Sequence, residues 1–385
     1  MRNEQHSYKL RVVSCKSANT SGLVLRTFML RCILLLLIFH ISYFKSHSQT
    51  IHFSQFGFNP IYASAAYTNL MDGDYRFNLV YRNQWANVPV NYNSVSASAE
   101  MNFFQFEKGT RLGGGIQFRY NRAGDSRFTY MQASLPLSAA IQLGKRHFLS
   151  LGVQPGFLHR NFDTRALQFD NQYSGDAFDS TIAPNESFDR ISTFAFDMGL
   201  GVAYQYSKNA RNGFQFGFNY SHINQPSMSF FNDKEVRMGA VVSFHLKGTA
   251  KLSERLDIVP EYFYRFQGAS AFLGDVNLQE HMIGTYLRTY LENTPKKRIA
   301  INVGMYCRMN PRRPDVSKSN IRIDALWPLV GLEYNTIKMN VTYDVNLSSF
   351  TPATRNNGGV EISLIYEISR VKKFKKNNAI CPVFL

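Results

Sequence analysis

The most constraining feature of this sequence is an alternation of apolar and polar residues near its C-terminus. From Ile337 to Leu347 every second residue is apolar, and the pattern resumes from Val360 to Ile368. The intervening positions hold polar residues such as Asp344. A period of two predicts β-strands with one apolar and one polar face. A soluble sandwich would hide the apolar face, whereas a membrane barrel would turn it toward lipid and line its lumen with the polar face.

Similar alternation recurs along the chain and gives fourteen candidate strands. The clear cases cover 75–81, 112–120, 194–206, 214–220, 236–246, 299–309, 337–347 and 360–368, and the weaker ones lie near 90–101, 127–143, 148–157, 256–266, 280–291 and 321–334. They run to roughly nine to fourteen residues, longer than the five to six of globular strands and close to a tilted bilayer crossing. The 14% aromatic content favours strands. We therefore predict an all-β fold, an outer-membrane β-barrel of about 14 antiparallel strands.

The gaps between the candidate strands alternate in length. The odd gaps average about 13 residues and the even ones about 6, and the longest gap covers 158–192. Outer-membrane barrels combine long extracellular loops with short periplasmic turns. An even strand number places both chain ends in the periplasm, so we expect the long gaps to face the cell surface.

The sequence divides into four regions. Residues 1–48 resemble a cleaved signal peptide with a basic flank and an apolar run, and Met29 is a plausible true start. We expect an N-terminal segment at 49–74, the barrel at 75–369 and a basic periplasmic tail at 370–385. Without the leader the chain keeps 36 basic and 26 acidic residues, a modest and dispersed excess. In an exported chain this composition gives no reason to expect a nucleic-acid partner.

Residues that could support catalysis or bind a cofactor form no convincing group. Ser243 and His245 would share the lumen face, but no third group orients them. The nine histidines show no metal-ligand spacing. Only Cys307 and Cys381 follow the leader, so disulfides do not define the fold. We expect no enzyme activity, cofactor or metal; a membrane hydrolase is the weakest alternative.

Charged residues on the polar face are candidates for a lumen site. Arg76 and Arg82 share the lumen phase of the first strand, and Asp344 and Glu361 share that of the last two. A charge in a lumen requires a partner or water. We expect these residues to form ion pairs between the first and last strands, with a polar path or partner docking point as the alternative. Trp85, at a strand end, is expected to lie at the membrane interface.

The longest gap is rich in aromatic residues, which makes it a candidate contact surface for a partner. The aromatic candidates are Phe162, Phe169, Tyr173, Phe178 and Phe188. Aromatic side chains in a long loop are either folded back as a lid or presented to a partner, and the sequence leaves both options open.

An ordered set of short motifs resembles the PorP/SprF family of type IX secretion and gliding systems. The set comprises "FSQFGFNP" from Phe53, "YRNQW" from Tyr81, "NRAGD" from Asn121, "SHINQP" from Ser221, "VPEYFYRFQ" from Val259, "NVGMYCR" from Asn302, "DALWPLVGLEY" from Asp324, "TYDVNLS" from Thr342, "GGVEISLIY" from Gly358 and "CPVF" from Cys381. Each motif is weak alone, and the ordered set is fairly specific. Two places depart from the family pattern, "SAAYTN" at Ser64 and the final Leu385.

This resemblance implies an outer-membrane barrel that helps to secrete or hold a large cell-surface protein. The implied partners are outer-membrane lipids, a secreted cargo protein of the type IX system and periplasmic peptidoglycan-binding components of that machine. The alternative function is a transport channel for small hydrophilic or amphipathic solutes. An inserted N-terminal segment would argue against open diffusion, and a continuous water path would argue for it.

Overall fold

The protein was analysed as a computed structural model, which describes residues 51–86, 91–106, 109–175, 177–270, 275–294, 297–311, 321–349 and 351–369. The expected signal peptide at 1–48, the basic tail at 370–385 and Cys381 lie outside these residues. Among the described residues, no helix has both the length and the apolar character needed to cross a membrane.

Fourteen long strands form one closed antiparallel barrel. Their bounds are β1 Tyr75–Gln84, β2 Tyr92–Gln105, β3 Arg111–Ala123, β4 in two segments Phe128–Ser134 and Leu137–Gly144, β5 His147–Asn161, β6 Ser192–Asn209, β7 Asn212–Ser221, β8 Ala240–Ser253, β9 Leu256–Ser270, β10 Asp275–Asn293, β11 Arg298–Pro311, β12 Ile321–Tyr334, β13 Ile337–Asn346 and β14 Asn357–Ile368. Each strand pairs with its sequence neighbours, and β1 also pairs with β14 from Tyr75↔Ile368 to Gln84↔Gly359. The predicted fold class and strand number are confirmed.

The apolar face of each strand points outward. In β1, Phe77 and Leu79 are 44% and 45% exposed, whereas Arg76 and Arg82 are at most 1% exposed. The same inversion holds in β13, where Val341 is exposed and Asp344 is buried. A soluble protein would bury the first set and expose the second, so the exposed apolar band indicates a lipid-facing wall.

Among the boundaries that differ from the sequence-based prediction, two concern the long loops. The alternation from 236 was assigned to a strand, but β8 begins at Ala240 and leaves Val236 in a loop that covers 222–239. The long loop covers 162–191 instead of 158–192, because hydrogen bonding between β5 and β6 continues to Asn161↔Ser192. Periodicity alone cannot show where a strand loses its partner, which explains both differences.

The N-terminal segment before β1 lies inside the barrel and fills much of it. It contains three short helical turns, Phe56–Phe58, Pro60–Ala63 and Ala65–Tyr67. Ile51 and His52 line a cavity of about 480 Å³ together with Trp85. Trp85 follows the end of β1 at the mouth of the barrel that carries the long loops, here called the loop-side mouth. At the other end the Asp74 amide donates to the Ile368 carbonyl at 2.8 Å, beside the end of β14. Residues 51–74, here called the inserted segment, therefore run down the lumen from the loop-side mouth to the opposite one.

Candidate functional site: the filled lumen and the loop surface

Arg82 binds the inserted segment to the closing strands of the barrel. Its guanidinium lies 2.7 Å from an Asp344 oxygen and 3.0 Å from a Glu361 oxygen, and it donates to Ser54 Oγ. Ser54 in turn donates from its amide to Glu361 at 2.8 Å and from its hydroxyl to Asp344 at 2.9 Å. We call Arg82, Asp344, Glu361, Ser54 and Gln55 the latch, because they join β1, β13, β14 and the inserted segment.

Gln55 adds hydrogen bonds that orient the inserted segment against β14. Its backbone amide donates to Glu361 at 2.8 Å, and its side-chain amide donates to the Glu361 carbonyl at 2.7 Å. The Ser363 hydroxyl donates to the Gln55 side-chain oxygen at 2.6 Å. Gln55 thus satisfies groups on Glu361 and Ser363 that burial has removed from water, which makes the contact directional.

Arg76, the other sequence candidate, forms a different contact. Its partner is Glu100 on β2 and not Asp344 or Glu361, and it also donates to the Tyr67 carbonyl at 2.9 Å. The Arg76–Glu100 pair is fully buried. Cross-strand partners depend on register as well as phase, so the sequence could place Arg76 in the lumen without identifying Glu100.

Other charged pairs hold the inserted segment further along its path. Arg265 on β9 pairs with Glu280 on β10 at 2.9 Å and donates to the Ile51 carbonyl and the Tyr62 hydroxyl. Lys247 pairs with Glu261 at 2.7 Å. Buried ion pairs such as these contribute little net stability but impose geometry, because either partner left alone would be a costly buried charge.

Aromatic side chains of the inserted segment pack on aromatic side chains of the barrel. Phe56 stacks on Phe263 with ring centroids 5.2 Å apart, and Tyr306 meets it edge-on at 5.9 Å. Tyr67 bonds through its hydroxyl to His245 at 3.2 Å. One ring nitrogen of His245, the histidine of the Ser243/His245 pair considered from the sequence, therefore contacts the inserted segment.

Lumen-facing glycines create the space for the inserted segment. A Cβ at Gly217 would lie 2.3 Å from the Tyr67 hydroxyl, and one at Gly201 would lie 2.6 Å from Ser64 Oγ. Both distances are too short for a side chain, so the wall of β6 and β7 must be bare at these positions. A substitution at Gly201 would therefore disturb the inserted segment, which the sequence could not reveal.

The five aromatic candidates of the long loop differ in whether their side chains are packed or exposed. Phe162 packs on Phe188 at 4.9 Å and on Phe230 of the 222–239 loop at 4.7 Å. Tyr173 and Phe178 are instead 45% and 37% exposed and meet edge-on at 5.7 Å. Phe169 is half-buried, and its backbone amide donates to the side-chain oxygen of Gln172. The structure thus folds Phe162 and Phe188 back and presents Tyr173 and Phe178.

The exposed pair sits on a small two-stranded ladder, Tyr173–Ser174 with Ala177–Phe178. Gln172 is buried beneath it and donates to the Ile182 carbonyl at 2.8 Å. We call the exposed pair Tyr173 and Phe178 the loop tip. Sequence reasoning missed Phe230 and its neighbour Phe231, because length and composition pointed to the 158–192 gap and these two residues lie in a different, shorter gap.

Nothing in the described residues groups three or more histidine, cysteine, aspartate or glutamate side chains in a way that could hold a metal ion. Cys307 is a free, half-buried thiol on the outward phase of β11. Trp85 has a left-handed backbone conformation and packs edge-on against Tyr92 at 5.1 Å, where it lines the loop-side mouth.

A comparison with protein families matches residues 45–366 to the model of the type IX secretion system membrane protein PorP/SprF. The chain belongs to the PorP/SprF family. The match covers the inserted segment and almost the whole barrel, and it confirms the resemblance inferred from the motifs. No curated protein matches the chain in sequence.

Solved structures give likenesses of the barrel alone. The Ralstonia pickettii toluene transporter TbuX has a TM-score of 0.47 and 11% identity, over 80% of this chain and 92% of that one. The P. putida toluene transporter TodX has a TM-score of 0.43 and 10% identity, over 81% and 93%. BamA from Haemophilus ducreyi lacking POTRA domains 1–3 has a TM-score of 0.39 and 10% identity, over 76% and 70%. No transported substrate is inferred from them.

Proposed function

We propose that this PorP/SprF-family protein is a non-enzymatic outer-membrane barrel that helps the type IX machinery to secrete or anchor a large cell-surface protein. Its long loops then face the cell surface, and a secreted cargo meets the loop tip first. The observation that carries the proposal is the filled lumen: residues 51–74 occupy it, so the contact surface offered to a large partner is on the loops. Periplasmic peptidoglycan-binding components are the partners proposed for the opposite side.

The loop tip has the chemistry of a protein contact. Tyr173 and Phe178 are large, exposed and held by the ladder, and aromatic residues of this kind contribute strongly to protein interfaces. Phe162 and Phe188 support the base of the same loop by packing on Phe230 and Phe231. A rigid base with an exposed aromatic tip favours presentation over closure of the barrel.

The test is a pair of substitutions at the tip, Tyr173→Ser with Phe178→Ser, made in the full-length protein in the native bacterium. We expect normal levels in the outer membrane, because neither residue belongs to a barrel strand, and reduced cargo on the cell surface by surface proteomics. Val236→Ser is the matched control, since Val236 is 54% exposed on the neighbouring loop.

The channel alternative predicts a different result. A route for small solutes requires the inserted segment to leave the lumen, so loop-tip changes should leave cargo display intact. Unchanged display together with a solute conductance in planar bilayers for the unmodified protein would contradict the cargo proposal and support the channel.

A further inference from the structure

An apolar groove crosses the lipid-facing wall where β4 is interrupted. Leu135 and Pro136 separate the two segments of β4, and proline has no amide hydrogen for the ladder. Small side chains form a low floor that larger ones border, and the cavity measures about 540 Å³. Its outward-facing lining includes Ala97, Ala99, Ala133, Ile116, Phe118 and Phe157. A groove of this size and character suits an alkyl chain.

A basic pocket of about 470 Å³ lies at the loop-side rim of the same strands. Arg122, Arg127 and Arg165 line it with one acidic residue, Asp163, so the lining carries a net charge of +2. Asp163 forms an ion pair with Arg165 at 3.0 Å. Among the described residues, the guanidinium groups of the exposed Arg122 and Arg127 make no hydrogen bond or ion pair. The hydrogen bonds from Arg165 lower the pKa of Asp163, and Arg127 helps to lower it by charge attraction alone.

The groove and the pocket follow one another along the outward face of β3. Ile116, Phe118, Tyr120 and Arg122 occupy successive outward positions of that strand. At about 3.3 Å per residue, Arg122 lies roughly 13–20 Å from the groove residues Phe118 and Ile116. Because barrel strands are tilted by roughly 35–45°, this length corresponds to roughly 9–16 Å of depth, which puts the groove in the outer half of a hydrocarbon core about 30 Å thick when Arg122 lies at the headgroups. Tyr120 between them has the character of an interfacial residue.

We propose that β3, β4 and β5 carry a binding site for phosphorylated lipid A, with a phosphate on Arg122 and Arg127 and an acyl chain in the groove. The proposal rests on the proposed function in one respect, because it requires the loop side to face the outer leaflet. A guanidinium can bind a phosphate through two parallel hydrogen bonds. Arg122 and Arg127 can make such bonds, because their guanidinium groups bind no other side chain among the described residues. A free anion would account for the pocket but not for the groove beneath it.

The site can be tested by titrating the purified full-length protein in nanodiscs with four probes: lipid A, dephosphorylated lipid A, phosphatidylglycerol and inorganic phosphate. The double variant Arg122→Gln with Arg127→Gln should weaken lipid A binding by about tenfold or more, since bonds to charged groups carry that much affinity. Ala133→Phe, which fills the groove from the lipid side, should weaken both lipid A forms.

Arg355→Gln is the matched control. Arg355 is also an exposed loop-side arginine, and its φ of 50° equals that of Arg127. Its substitution should leave lipid A binding unchanged; an equal loss would show a non-specific charge effect and overturn the proposal. Equal binding of dephosphorylated lipid A would overturn the phosphate contact. Competition by inorganic phosphate at the same concentration would reduce the site to an anion pocket.

A preference for phosphatidylglycerol over lipid A would overturn the assignment to the outer leaflet, and with it the orientation on which the proposed function depends. Loss of cargo display in the loop-tip variant is measured separately. If lipid A binds as expected while the loop-tip variant displays cargo normally, the proposed function fails and the lipid site stands.

Discussion

Removing Arg82 should weaken the hold on the inserted segment more than any other single change in the latch. In Arg82→Met the Asp344 carboxylate keeps Arg308, 3.5 Å away, and the Ser54 hydroxyl, and Glu361 keeps the amides of Ser54 and Gln55. Breaking a buried ion pair by removing one partner costs about 3–5 kcal/mol, because the remaining charge stays buried. Two carboxylates lose a cationic partner here, but Asp344 retains Arg308, so the whole of this range applies.

The cost divides between the barrel and the docked segment, because Arg82 contacts both. If it falls on the docked segment, 3–5 kcal/mol lowers the ratio of docked to released segment by about two to nearly four orders of magnitude. The aromatic contacts of Phe56 and Tyr62 remain, and burial of each side chain stabilises the docked segment by about 1.5–3 kcal/mol. Most molecules should therefore keep the segment docked in the lumen. The expected result is therefore rare openings of the lumen and a lower midpoint of thermal unfolding.

The assay combines single-channel recording in planar bilayers with heat-dependent migration of the folded barrel on gels. Arg165→Met is the control, because the Arg165 side chain is 89% exposed and its pair with Asp163 lies outside the barrel. Glu361→Gln should have a milder effect, since Arg82 keeps Asp344 and the single amide oxygen can still accept from one of the two backbone amides that Glu361 binds, Ser54 or Gln55. If Arg82→Met neither opens the lumen nor lowers the unfolding midpoint, the latch does not hold the segment and the reasoning is refuted.

Three further predictions follow from the topology and packing. Ser180→Cys should react with an impermeant maleimide on intact cells and Asn209→Cys should not; the reverse pattern would invert the orientation. Leu200→Arg, on the lipid-facing phase, should destabilise the barrel by about 2–4 kcal/mol in denaturant titrations in lipid, and a negligible change would show that Leu200 does not face lipid. Gly217→Val should displace Tyr67 and raise protease sensitivity of the inserted segment without removing the barrel from the membrane, and full protection would contradict the close approach of Tyr67 to β7.

The wall of the barrel could be predicted from the sequence because each strand carries its own signal. The alternation in β13 and β14 shows one apolar and one polar face whatever the neighbours are, and the aromatic, β-branched composition supports strands of bilayer length. The same local signal placed Arg82, Asp344 and Glu361 on the lumen side. Register is not local, which is why the Arg76–Glu100 pair could not be identified.

The loop surface was predictable only in part, for a related reason. Length and composition singled out the 162–191 loop, but whether an aromatic residue folds back depends on a second loop. Phe162 and Phe188 are folded because Phe230 and Phe231 lie beside them, and those residues are distant in sequence. Tyr173 and Phe178 instead pair with each other on a separate two-stranded ladder and remain exposed.

The strand pattern does not show whether water or polypeptide fills the lumen. A polar inner face is compatible with water or with a polypeptide that satisfies the same groups. Two features distinguish the second case here. The segment before the barrel is rich in aromatic side chains, with Phe53, Phe56 and Phe58 all buried inside. Glycines on the lumen phase, such as Gly201 and Gly217, remove side chains where a chain must pass. A water-filled pore requires neither feature, so their combination indicates an occupied lumen in which the charged residues serve as attachment points.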